Sequence, residues 1–122
     1  MAKLMTDAMI DGGLNKVITC TRLTVLSAEP ASITNITTTY KLCSVVIDSG
    51  DFTKANGDTS GRKVTIGAQA GIVITTSGTA THIAIDDGTD YVVTTCTSQA
   101  LTANGTNTVT VPAWKLEIAD PV

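Results

Sequence analysis

Aromatic residues are scarce in this 122-residue chain: Tyr40, Phe52, Tyr91 and Trp114 make up 3% of it. So few rings, so widely spaced, cannot form a platform on which nucleobases stack. Charge is also sparse at 16%, and 8 Lys+Arg against 11 Asp+Glu leave a net charge of −3. Such a balance gives no electrostatic footprint for phosphate backbones or anionic lipid, so neither nucleic acid nor a membrane surface is an expected partner. No apolar run approaches the roughly 18 residues that a membrane-spanning helix needs. The opening MAKLMTDAMIDGG places Asp7 and Asp11 where a secretory segment would be apolar, so cytoplasmic synthesis without a cleaved signal is expected.

Reactive groups are equally few. His82 is the only histidine, and no Gly-x-Ser-x-Gly elbow supplies a nucleophile for it to activate. Its place beside Ile83 and Ile85 in an alternating segment favours a structural role, and the chain is not expected to be an enzyme. Gly67 and Gly71 lack a following Lys-Ser/Thr and open no helix, so they do not cradle phosphate, and no cofactor is expected. Asp86, Asp87 and Asp90 surround Gly88 and could hold calcium. Their order departs from the EF-hand register, however, and a turn that requires Asp and Gly explains the same residues. Asn35-Ile36-Thr37 and Asn104-Gly105-Thr106 match the glycosylation pattern but read as polar turns.

Three cysteines, Cys20, Cys43 and Cys96, cannot all pair within one chain. No Cys-x-x-Cys or His-x-x-x-His spacing accompanies them, which gives zinc little support. Two readings stand: small buried hydrophobes in strands, or an inter-subunit disulfide formed after an assembly leaves the reducing cell.

What is abundant is β-branched. The chain holds 23 Thr, 11 Val and 11 Ile alongside 10 Gly, a mixture suited to pleated strands joined by tight turns. Its length fits one domain, residues 1–122, able to bury roughly 65% of the surface its unfolded form exposes.

Residues 1–20 form an N-terminal helical segment, with Thr6 or Asp7 as N-cap and Ile10, Leu14, Val17 and Ile18 on one face. Gly12 and Gly13 each weaken the helix by roughly 1 kcal/mol, so it must dock to persist. Residues 21–122 read as strands: Arg22 to Ala28, Tyr40 to Asp48, Phe52 to Ala55, Arg62 to Ala68, Ile72 to Thr76, Thr79 to Ile85, Tyr91 to Ser98 and Thr108 to Ile118. Ala31 to Thr39 is a connection or a short turn of helix. Thr79 to Ile85 alternates Ala80, His82 and Ala84 with Thr81, Ile83 and Ile85, and Asp86-Asp87-Gly88 makes it a hairpin with the next strand. Pro112 belongs at an edge or a bulge. Short strands with turns about every ten residues predict a mainly β fold, a single antiparallel β-sandwich or barrel-like domain with one N-terminal α-helix.

The C-terminal half carries Gly78-Thr79-Ala80-Thr81-His82-Ile83-Ala84-Ile85, then Asp87-Gly88, Ser98-Gln99-Ala100-Leu101-Thr102, Asn107-Thr108-Val109 and Pro112-Ala113-Trp114-Lys115-Leu116-Glu117-Ile118. With Met5-Thr6-Asp7-Ala8-Met9 and Arg22-Leu23, these segments resemble small structural proteins of tailed bacteriophages, most like a capsid decoration or cement protein. The resemblance implies a virion protein made in the host cytoplasm and seated on the capsid surface. Its partners would be the major capsid protein and other copies of itself, a trimer suiting a local threefold. Cys20, Cys43 and Cys96 are then candidates for an inter-subunit disulfide, and Trp114 for a contact anchor, given its large apolar area. Two alternatives remain: a neck, collar or tail structural protein of the phage, and a carbohydrate or host-receptor binding module using Trp114 or a tyrosine.

Overall fold

The computed structural model describes residues 5–121. Helix α1, Asp7–Ile18, buries Ile10 and Leu14 and rests Val17 and Ile18 partly against the same core. Thr6 occupies the N-cap in extended backbone, but its side chain makes no capping bond, so the helix depends on docking rather than on its own terminus. Among the described residues nine strands follow: β1 Arg22–Leu26, β2 Lys41–Val46, β3 Phe52–Asn56, β4 Arg62–Ile66, β5 Gln69–Val73, β6 Gly78–Asp86, β7 Tyr91–Leu101, β8 Thr108–Val111 and β9 Trp114–Ile118.

The strands form three antiparallel sheets, ordered β2-β1-β6-β7, β3-β4-β9 and β5-β8. One core joins them. Leu23 and Val25 of β1, Cys43 of β2, Val64 and Ile66 of β4, Ile85 of β6 and Val111 of β8 lie in a single buried cluster that also takes in Ile10 and Leu14. The architecture is a mainly β, sandwich-like fold with one N-terminal helix, as alternating β-branched residues and frequent turns lead one to expect.

Charge fixes the helix on the second sheet. Arg62 Nε of β4 donates to Asp11 Oδ1 at 3.0 Å, and Lys54 Nζ of β3 donates to Asn15 Oδ1 at 2.7 Å. A Cβ at Gly13 would come within 3.3 Å of Ile118 Cδ1, so the glycine that weakens the helix also lets it approach β9. Gly61 has a stricter role: with φ at 67°, a Cβ there would stand 2.0 Å from the Ile118 carbonyl oxygen. Only glycine turns the chain this close to β9.

Two details differ from the sequence-based expectation, whereas the stretch read as a connection or a short turn of helix does contain a helical turn, the π-helical Asn35–Thr39. It caps the outer face of the four-stranded sheet, where Leu26, Ile36 and Ala84 form a second, smaller core beside Tyr40 and Tyr91. The alternation of β6 is broken. Ala80 pairs with Gln99 and His82 with Thr95, so Thr81 alone opposes Cys96, Thr97 and Ser98. This bulge shifts the parity: Ala80 joins Ile83 and Ile85 in the main core, while Ala84 faces the smaller one. Finally, residues 108–118 are two strands rather than one, since β8 pairs with β5 and β9 with β4. Pro112 lies between them, where no ladder bond needs its missing N–H.

Candidate functional site

β7 is an edge strand. Its eleven residues pair with β6 on one side, and among the described residues no strand pairs with the other. It contains no charged residue and no proline, two of the devices that keep sheet edges from adding foreign strands, although it does carry the bulge opposite Thr81. Thr95, Thr97, Ser98, Gln99 and Ala100 are exposed along it.

A groove of about 460 Å³ opens beside this edge. Val25, Ala80, Ile83 and Leu101 make its apolar floor; the 94–97 stretch and Gln99 of β7 form one wall, and the 109–112 stretch with Trp114 forms the other. The bulge opposite Thr81 lies in this stretch of β7, where Cys96 and Thr97 line the groove. None of the fourteen lining residues is charged. The volume falls in the range of ordinary ligand clefts, roughly 300–1,000 Å³.

Trp114, named from sequence as a contact anchor, is half-buried opposite Ile66 on β4 and lines the groove. Its indole Nε1 is buried with no hydrogen-bond partner among the described residues.

The three cysteines are free and lie in different settings. Cys20, just past α1, is 5% exposed and Cys43 on β2 is fully buried. Burial pushes both thiols up to about 11, which leaves them protonated and unreactive near neutrality. Cys96 is half-buried on β7 in the groove wall, its pKa also raised by burial. Of the three, it is the one that is not buried.

His82 sits half-buried on β6 between Leu26 and Thr95, with Nδ1 2.9 Å from Thr81 Oγ1. The aspartates of the β6–β7 turn are engaged by cations and backbone. Asp86 faces Arg22 and accepts from the Gly88 N–H; Asp87 accepts from the N–H groups of Thr89 and Asp90, and Lys16 Nζ stands 2.7 Å from Asp87 and 3.3 Å from Asp90. Lys16 holds the carboxyl of Asp87 far below the usual carboxylate range, aided by those two N–H groups. The charges thus pin the end of α1 to the hairpin. No cluster of three or more metal-ligating side chains occurs among the described residues, and no described helix is long and apolar enough to cross a membrane.

The groove was not foreseen. Its only sequence signal is that Tyr91 to Leu101 runs eleven residues without a charge, a glycine or a proline, and nothing local says which neighbour it will lack. No family model, curated protein or solved structure matches the chain.

Proposed function

We propose that the protein is a structural virion component that decorates and cements the capsid shell of a tailed bacteriophage, through non-catalytic contacts with the major capsid protein and with neighbouring copies. The observation that carries the reading is the uncharged edge of β7, unpaired among the described residues, beside an apolar groove. A cement works by burying surface across lattice contacts, so it needs a pre-formed small fold with adhesive edges. The resemblance of the Gly78 to Ile85 and Pro112 to Ile118 segments to phage structural proteins supplies the biological setting. Purified virions, analysed by mass spectrometry and cryo-electron microscopy, are expected to carry many copies on the shell; virions lacking the chain overturn the proposal. A handful of copies at the neck, collar or tail would support the alternative virion location instead.

A carbohydrate or host-receptor module is the second reading, favoured by the placement of Trp114 beside Gln99 and threonine hydroxyls in one groove. Sugar rings stack on accessible aromatic faces. Saturable glycan binding that disappears in Trp114→Ala while the fold survives would establish it, and a silent glycan array would remove it.

A further inference from the structure

We propose that the groove between β7 and the β8–β9 junction receives one extended, uncharged segment of a partner protein, which adds as a short strand along the free edge of β7. The proposal rests on the reading that this chain works by holding another protein, and it names the chemistry of the part held. Two observations carry it. The first is the edge itself: β7 has backbone N–H and C=O groups facing away from β6, and no described strand pairs with them. An added strand satisfies such groups with main-chain bonds, which supply affinity, while alternate side chains entering a groove supply specificity.

The second is charge. Every residue lining the groove is neutral, in a chain that carries 19 formally charged side chains elsewhere, 8 Lys+Arg and 11 Asp+Glu. A lysine or aspartate drawn into this groove would lose hydration and meet no counter-charge. Valine, isoleucine, leucine or threonine would meet the floor of Val25, Ala80, Ile83 and Leu101 instead. The bulge interrupts regular pairing at residues 96–98, so the added strand is short, in keeping with a groove of about 460 Å³.

Trp114 is the only tryptophan and lines the groove, so its fluorescence reports occupancy directly. The test titrates the full chain with a blocked hexapeptide alternating threonine and valine, and with a second in which lysine replaces each valine. The neutral peptide is expected to shift the emission saturably, and the lysine peptide to bind at least about tenfold more weakly. Thr97→Lys, a change at an exposed groove position, is expected to weaken the neutral peptide at least about tenfold without altering the circular dichroism or the melting temperature.

An emission that the neutral peptide leaves unchanged overturns the proposal, as does equal binding of the two peptides or an indifferent Thr97→Lys. An oligomer that Thr97→Lys dissociates in the absence of peptide would assign the groove to a second copy and overturn it likewise. Failure here is separable from failure of the virion role: a chain present on capsids whose groove ignores the peptide refutes the groove alone, and a peptide-binding chain absent from virions refutes the role alone.

Discussion

Arg22 and Asp86 are cross-strand partners on β1 and β6, with Arg22 Nη2 2.6 Å from Asp86 Oδ2 and Nε 3.0 Å from Oδ1. The carboxylate is 1% exposed and the guanidinium side chain 35%, so the two ends of the pair are unequal. Removing Arg22 strands a buried negative charge with the Gly88 N–H as the one remaining partner of its side chain among the described residues, whereas removing Asp86 leaves an arginine that can turn to water. Arg22→Ala is therefore expected to cost about 3 kcal/mol and Asp86→Ala distinctly less. Urea unfolding of both variants measures the asymmetry, and equal losses would contradict it.

Helix docking makes a second prediction. Leu14 is fully buried and Met9 is 71% exposed on the same helix. Leu14→Ala is expected to cost about 3 kcal/mol, because it removes packed methyl groups and leaves a cavity under the helix. Met9→Ala should stay within about 0.5 kcal/mol of the parent. Matching losses in chemical denaturation would mean that the helix is not anchored as described.

Acid should loosen the ion pairs in a defined window. Lys115 and Lys63 beside Asp58 hold its carboxyl down to about 2, and Arg62 beside Asp11 lowers that group as well. Carboxylates depressed in the folded state contribute stability that is present above the unfolded value, about 3.9, and lost as the pH falls through the folded one. The melting temperature is accordingly expected to fall between about pH 4 and about pH 2. The groups are solvent-screened, so the effect is modest and shrinks in high salt. Asp58→Asn should flatten part of the decline; an unchanged profile in that variant would exclude Asp58 as a contributor.

Thiol chemistry should sort the cysteines by burial. With an aromatic disulfide reagent at neutral pH, Cys96 is expected to react in the native protein, and Cys20 and Cys43 only on unfolding. The same burial makes the fold alkali-sensitive. Unfolded thiols lose their protons from about pH 8.5 while Cys20 and Cys43 hold theirs to about 11, so stability drops as the pH rises across that interval. Native-state labelling of Cys43 as fast as Cys96 would contradict the packing of β2.

Much of the fold was legible because its causes are local. Apolar spacing placed α1, and the turns at Asn56-Gly57-Asp58 and Asp86-Asp87-Gly88 separated strands close to where they end. Asp87 shows why: its own side chain accepts the N–H groups of Thr89 and Asp90, chemistry contained within four residues. Boundaries drifted where a distant contact decided them. The strand expected over Ile72 to Thr76 ends at Val73, since the N–H groups of Thr75 and Thr76 both turn to the Leu42 carbonyl on β2.

The candidate site was far less legible. Trp114 and Cys96 were singled out, but nothing in their neighbourhoods along the chain announced that they line one groove. Their meeting depends on Pro112 directing β8 and β9 into different sheets and on the bulge opposite Thr81.

By itself, the amino-acid order determined the mainly β character, the single helix and the positions of the turns, because alternation, β-branching and Asp-Gly chemistry act over a few residues. Tertiary structure alone decided that β4 lies against β9 and β1 between β2 and β6, that Ala80 shares the core of Ile83 rather than that of Ala84, and that one edge of β7 meets no other strand among the described residues. Strand partners are chosen by burial summed over residues tens of positions apart, and a one-residue slip in register sends each side chain to the opposite face.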